Sequence, residues 1–181
     1  VNILDEMDPP QELIKKVLDR IKCEIPKHDI VLVTDFGHGL MQEKIRRYIE
    51  KNSPFMALNC QTNSYNYGFN IINRQYKRSD CFSLDATEIS LSVGKRQMNY
   101  LEELENLRAT LDAKFAWLTK GATETIAVVE GGLACASPPF ETKVIDTVGA
   151  GDAFFSVAAL AAASGMSARQ TLFLGQIAGA Q

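Results

Sequence analysis

Histidine, paired cysteine and surplus positive charge are all scarce in this chain of 181 residues. There are two histidines and four cysteines. Cys23, Cys60, Cys81 and Cys135 lie far apart with no C-x-x-C pair, which argues against a zinc centre and a disulfide-stapled miniprotein. Nineteen Lys and Arg stand against 22 Asp and Glu, a formal net charge of −3. That balance lacks the cation excess that displaces counterions from nucleic-acid phosphates, so general nucleic-acid binding is not expected; a local pocket for a small anion is compatible with it. Long apolar runs are missing too. The longest, Ala153–Met166, is interrupted by Ser156 and Ser164. It falls short of the roughly 20 residues that span a bilayer and reads as a buried helix, so no membrane association is expected. The opening VNILDEMDPP is acidic and lacks the basic start of a secretory signal. With free cysteines, this favours the cytoplasm. Without an initiator methionine, the chain is expected to be part of a longer protein.

What is present is ordinary globular material. Hydrophobic residues make up 46% and charged residues 23% of the chain, enough apolar surface for one folded domain with a core that is mostly aliphatic, since aromatics are only 8%. The pattern alternates between short β-branched or apolar runs and longer amphipathic ones. QELIKKVLDRIK after Asp8-Pro9-Pro10 reads as a helix capped by Asp8 and ended by Pro26. Strands are predicted at residues 30–34, 55–59, 81–84, 115–119, 125–129, 133–136 and 144–146. Helices are predicted at 40–51, 63–76, 87–93, 98–111, 150–164 and 168–180. Glu130-Gly131-Gly132 between two of the strands predicts a hairpin. Strands alternating with helices predict a largely parallel sheet covered on both faces. Ligands in such sheets bind beyond the carboxyl ends of the strands. Trp117 sits in an apolar strand and is expected in the core. Asn59–Asn63 ends a strand and is polar enough to line a cleft, though a polar surface turn is the favoured reading.

Asp146-Thr147-Val148-Gly149-Ala150-Gly151-Asp152 is the most informative stretch. A predicted strand end meets two glycines and a long apolar helix. Glycines let the backbone approach a ligand, and the first N–H groups of a helix have no internal partner and sit at the positive end of its dipole. Together they suit a phosphate. Asp152 falls in the first turn, where the dipole favours a carboxylate that could take the proton of an attacking hydroxyl.

The stretch resembles the second signature of the pfkB (ribokinase-like) family of carbohydrate kinases, D-T-x-G-A-G-D, and matches it completely. The resemblance implies a three-layer α/β/α ribokinase-like fold with a mostly parallel sheet. It implies ATP-dependent phosphorylation of a hydroxyl on a sugar or sugar phosphate. Asp152 would be the catalytic base and would touch the substrate; Gly149, Ala150 and Gly151 would form the anion hole. Asp146 and Thr147 would lie by the phosphates, with Asp146 near a K⁺ ion in members that bind one.

Other segments follow in family order. Asp85-Ala86-Thr87-Glu88 stands where many members carry N-x-x-E. Glu88 would orient Mg²⁺, and Asp85 replaces the usual asparagine as a second Mg²⁺ partner or as a simple helix cap. Thr119-Lys120-Gly121 matches the start of T-x-G-x-x-G, with Glu124 at the second glycine; these three residues would meet the nucleotide, although a solvated Lys120 explains the sequence equally well. Ile177 and Gly179 would pack by the adenine. Asp35-Phe36-Gly37-His38-Gly39 resembles the D-Y-x-x-G region of heptose-phosphate kinases. That places Asp35 and Gly39 near the sugar, or gives Asp35 an Asx-turn role. The protein-kinase D-F-G reading fails without H-R-D and a glycine-rich loop. No G-x-x-x-x-G-K-[ST] is present, and neither G-x-G turn has the third glycine of a dinucleotide site.

The resemblance covers residues 1–181 as the C-terminal, nucleotide-binding part of a kinase domain; the N-terminal sugar motif and β lid of the family are missing from this stretch. Weak activity of the stretch alone is therefore expected. A fused nucleotidyltransferase domain and a homodimer are both compatible with the heptose branch. Two alternatives stand beside the enzyme: a degenerate nucleotide-binding regulatory module, favoured by Asp85 and Glu124, and a kinase of the same fold acting on a nucleoside or vitamin alcohol.

Overall fold

The computed structural model describes residues 9–62, 67–132, 134–140 and 149–180. Six strands form one sheet: β1 (Val31–Asp35), β2 (Met56–Cys60), β3 (Cys81–Asp85), β4 (Phe115–Thr119), β5 (Thr125–Val129) and β6 (Ala134–Ser137). They lie in chain order across the sheet. β1 to β4 run parallel, and β5 and β6 are antiparallel additions. The helices are α1 (Gln11–Glu24), α2 (Glu43–Asn52), α3 (Ile72–Gln75), α4 (Ala86–Val93), α5 (Tyr100–Thr110), α6 (Ala150–Ala163) and α7 (Ala168–Gly179), with a 3₁₀ turn at Ile25–Lys27.

Side-chain parity sorts these into three layers. Met56, Leu58, Phe82, Leu84, Ala116, Leu118, Ile126 and Val128 join a core with Ile14, Ile45, Ile49, Ile89 and Leu104 from α1, α2, α4 and α5. The intervening strand residues Ala57, Cys81, Trp117 and Ala127 face Phe154, Phe155, Ala158 and Leu172 of α6 and α7. Parallel strands advancing in one direction with crossovers of one hand must put their connecting helices on one face, leaving the other to the last two helices. The expected mostly parallel, doubly covered sheet is what forms. Trp117 is fully buried and meets Phe154 edge-on at 6.3 Å.

Strands β4 and β5 match their predicted spans, and the hairpin between β5 and β6 turns on Gly131 and Gly132, both at positive φ (90° and 81°). Two expectations need correction. Of the helix predicted over 63–76, residues 63–66 lie outside the described residues, and from 67 on the only helix is α3, preceded by a turn at residues 67–69. Gly68 takes φ +81° there. The Asn70 amide turns inward to donate to the main-chain oxygens of Asp35 (2.9 Å) and Gln61 (3.1 Å), competing with helix continuation. Helix α1 begins after Pro10 with no side-chain cap. The proposed Asp8 cap, the strand at 144–146 and the two residues Asp146 and Thr147 lie outside the described residues. Among the described residues no helix is long and apolar enough to cross a membrane.

Candidate active site at the carboxyl edge of the sheet

Helix α6 opens at the carboxyl ends of the parallel strands. Its N-cap is Gly149 at φ +84°, with no side-chain cap bond. An L side chain at that φ is strained, and a capping side chain would occupy the space in front of the first N–H groups. Gly149, Gly151 and Asp152 are exposed and Ala150 is half-buried, so the helix mouth faces outward. Among the described residues, and apart from its chain neighbours and the helix's own backbone, no atom lies within 4 Å of where a Cβ on Gly151 would sit. The mouth is anchored from below: a Cβ on Gly179 would come within 3.1 Å of the Ala150 carbonyl oxygen, which records how closely the end of α7 approaches the first turn of α6. Ile177, on the same turn of α7, is 39% exposed.

Strand β2 delivers a polar pair toward this mouth. Ala57, Asn59 and Gln61 share one parity, and Ala57 belongs to the face that packs on α6. The Asn59 amide donates to the Ser83 carbonyl at 3.0 Å, which leaves its side-chain oxygen to accept from Gln61 Nε2 at 2.6 Å. The same Gln61 nitrogen donates to Asp152 Oδ1 at 2.7 Å. Sequence reading missed Gln61. Strand parity was the available signal, but which helix lies opposite is a contact across 91 residues.

Strand β3 ends in a reciprocal capping box. Asp85 Oδ1 accepts from the Glu88 N–H (2.7 Å), and Glu88 Oε2 accepts from the Asp85 N–H (2.8 Å). Glu88 Oε1 also accepts from the Thr62 N–H at 3.0 Å, tying β2 to α4. Glu88 is buried, whereas Asp85 is exposed. Burial pushes the Glu88 carboxyl up to about 7; the negative charges of Asp85 and, last, Asp152 add to the rise, and the two backbone N–H bonds oppose it. The Asp85–Glu88 cap and the first turn of α6 thus lie at the same end of the sheet, close enough for the Asp152 charge to be felt at Glu88.

A raised carboxylate pKa has a definite sign for stability. The protonated form is favoured by folding, so its contribution is complete below about 4.5 and is lost as pH rises through about 7, a total of about 3 kcal/mol. Denaturant titrations in chelator at roughly pH 5 and pH 8 should show the wild type losing about 2–3 kcal/mol more than Glu88→Gln between the two. Equal losses in both proteins would mean that Glu88 does not titrate in this window.

Strand β4 ends at Thr119, whose hydroxyl donates to the Leu84 carbonyl at 3.4 Å. Lys120 turns to Glu124, Nζ to Oε1 2.6 Å, and lies 4.9 Å over the Tyr100 ring. Neither a solvated nor a free Lys120 is seen. Gly121 is exposed at φ +54°. At the end of β1, Asp35 is buried, with Oδ1 accepting from the Gly37 N–H (2.9 Å) and Oδ2 from the Tyr76 hydroxyl (2.7 Å). The Asx-turn geometry is present. Burial, reinforced by the Asp35 charge, pushes the Tyr76 phenol far up, so it remains a donor. A cavity of about 140 Å³ opens beside Asp35, Gly39, Arg46 and Asn70. Gln61 links its wall to the first turn of α6: its main-chain N–H donates to the Asp35 carbonyl at 2.9 Å while its side chain donates to Asp152.

A mostly parallel six-strand sheet with helices on both faces and a glycine-capped helix opening beside Asp152 defines an α/β protein of three layers. The sequence profile described as pfkB family carbohydrate kinase matches residues 73–181, more than half the chain, and the protein belongs to that family. No curated protein sequence matches it. Among solved structures, Escherichia coli phosphofructokinase-2 in complex with fructose-6-phosphate aligns with TM-score 0.74 at 11% identity, over 96% of this chain and 56% of the other. Arabidopsis thaliana ribokinase complexed with ribose and ATP aligns with TM-score 0.70 at 18% identity, over 90% and 51%. Thermotoga maritima ribokinase gives TM-score 0.70 at 19% identity, over 92% and 54%. These alignments show a shared ribokinase-like fold. The chain spans about half the length of these structures.

Proposed function

We propose that this chain is the nucleotide-binding half of an ATP-dependent kinase acting on a hydroxyl of a sugar or sugar phosphate. The observation that carries the reading is the exposed opening of α6, where Gly149 caps the helix without a side-chain bond and Asp152 stands exposed in the first turn. The N–H groups following Gly149 hold the γ-phosphoryl oxygens as negative charge redistributes in the transition state. Asp152 accepts the acceptor's proton as its oxygen attacks phosphorus. One O–P bond forms to the acceptor, the bond to the departing ADP oxygen breaks, and the proton rests on the Asp152 carboxylate. Thr119, Lys120 and Gly121 border the nucleotide, as do Ile177 and Gly179 from below; Asp146 and Thr147 continue the same motif toward the phosphates.

The acceptor lies toward the cavity beside Asp35 and Gly39. Asp35 supports this wall, since one carboxylate oxygen is held by the Gly37 N–H of the turn and the other by the Tyr76 hydroxyl. That region carries the similarity to heptose-phosphate kinases, and a sugar phosphate is the favoured acceptor class.

Among the described residues no group of three or more His, Cys, Asp or Glu could hold a metal unaided. Magnesium does not require one, because it is bound through one or two carboxylates with waters and substrate phosphates. Glu88 and Asp85 fit that donor set: each carboxylate oxygen that accepts one N–H retains a second lone pair. When bound, Mg²⁺ would neutralise charge on the ATP phosphates. A K⁺ ion near Asp146 is proposed in parallel with the neighbouring phosphofructokinase-2 structure described as a complex with potassium, which aligns with TM-score 0.73 at 13% identity. Action in the cytoplasm and self-association as a homodimer belong to the same reading, as does a fused nucleotidyltransferase domain in the full-length protein.

The test is ADP release by the full-length protein against a panel of sugars, sugar phosphates, nucleosides and vitamin alcohols. Acceptor-dependent release with a sugar or sugar phosphate is the expected result. Tight ATP binding with no acceptor raising ADP release above background favours the regulatory-module reading, for which Glu124 at a glycine position of the nucleotide loop is the supporting observation.

A further inference from the structure

We propose that Gln61 is the positioning residue for Asp152, fixing which carboxylate oxygen is presented to the acceptor hydroxyl. The kinetic part of this inference rests on the kinase reading above; the contact itself does not.

The argument follows the direction of each hydrogen bond. The Ser83 carbonyl can only accept, so the Asn59 group facing it must be its NH₂. The Asn59 oxygen then points to Gln61, and the Gln61 group facing that oxygen must be its own NH₂. That NH₂ has two hydrogens. One goes to Asn59 Oδ1 and the other to Asp152 Oδ1, which accepts. No amide in this run can flip without setting two acceptors or two donors against each other. The polarity of the whole relay is set by one main-chain carbonyl of β3, a rigid origin in the centre of the sheet.

The relay bears on the reacting atoms in two ways. Asp152 is exposed in the first turn of a helix, where a short side chain would otherwise sample several rotamers. Binding Oδ1 to Gln61 removes that freedom and leaves Oδ2 for the proton of the acceptor. Gln61 also defines the separation between the two halves of the site. Its side chain reaches the helix mouth, while its main-chain N–H donates to the Asp35 carbonyl and its own carbonyl accepts from Asn70 beside the acceptor cavity. A displaced Gln61 would therefore move the base and the acceptor wall relative to each other.

The experiment compares Gln61→Leu, Gln61→Glu and Asn59→Leu with wild type in the full-length protein. Gln61→Leu removes the donor at nearly constant volume. Gln61→Glu substitutes an acceptor that repels Asp152. Asn59→Leu leaves Gln61 in place but removes the Asn59 oxygen that accepts from its amide. Misplacement of a reacting group by about 1 Å can cost about 100-fold in rate, so we expect kcat to fall roughly 30- to 100-fold in Gln61→Leu and further in Gln61→Glu. The fall in Asn59→Leu should be smaller. The KM for acceptor and the Kd for ATP should stay within about threefold of wild type, because neither ligand is held by the Gln61 side chain.

A second readout needs no turnover. The Gln61 side-chain NH₂ resonances, assigned by comparison with Gln61→Leu, should shift in Asp152→Ala and in Asn59→Leu, since each removes one of their two acceptors. An inactive wild type with those shifts intact would overturn the kinase reading and leave the contact standing. Gln61 resonances indifferent to Asp152→Ala, or a Gln61→Leu enzyme with wild-type kcat, would overturn the positioning role. A loss carried entirely by KM would also overturn it, since that assigns Gln61 to uniform binding.

Discussion

Asp152→Asn in the full-length protein should lower kcat by about 1,000-fold while ATP binds as well as before or slightly better. General-base catalysis contributes about 100- to 10,000-fold, and an amide cannot take the proton that leaves the acceptor hydroxyl. The substitution is otherwise conservative here. Asparagine keeps an oxygen that can accept from Gln61 Nε2, so the first turn of α6 and its link to β2 are retained. Removing one negative charge from a mouth that already holds Asp85 and Glu88 nearby lessens repulsion of the nucleotide phosphates. Single-turnover assays and ATP titration separate the two effects. Undiminished turnover would exclude Asp152 as the base. Loss of ATP binding with intact turnover at saturation would instead place Asp152 among the nucleotide contacts.

Much of this site is local in sequence and was legible for that reason. The glycine cap of α6, the Asp85–Glu88 capping box and the β5–β6 turn each need residues within a few positions of one another, and each forms where the pattern predicts. FAWLT and TIAVV become β4 and β5 over their predicted spans because a short β-branched or apolar run next to turn residues has few other stable fates. The failures are the long-range ones. Residues 63–76 looked helical by default, but Asn70 finds better acceptors in Asp35 and Gln61 than in its own turn. Lys120 looked solvated or turned to phosphate, and the pairing with Glu124 and the Tyr100 ring was not readable from the loop. Gln61 was read only as part of a polar stretch, at best lining a cleft, because its partner lies 91 positions away on another layer. In each case the deciding partner is supplied by the packing of sheet against helix, which local spacing does not encode.

The same change at two glycines of the α6–α7 pair should have opposite consequences. Gly175→Ala should destabilise the fold by about 1–2 kcal/mol. A Cβ there would stand 2.6 Å and 2.7 Å from two carbons of the Phe154 ring. Phe154 cannot easily yield, since it is 3% exposed and its edge meets the fully buried Trp117. Overpacking of this kind costs about 1–3 kcal/mol, and the better helix propensity of alanine returns somewhat under 1 kcal/mol. Gly151→Ala has no such neighbour within 4 Å and lies inside α6, so stability should hold or rise by a few tenths of a kcal/mol. Its methyl group would instead fill the space in front of the helix N–H groups, and ATP turnover should fall about tenfold or more through crowding of the phosphoryl oxygens. Denaturation midpoints and ADP-release assays on the two variants form a crossed pair. If Gly151→Ala keeps full activity, the mouth of α6 is not where the phosphoryl group is held. If Gly175→Ala is as stable as wild type, α7 is free to shift against α6, and the close approach of Gly179 to Ala150 does not fix the position of the helix mouth.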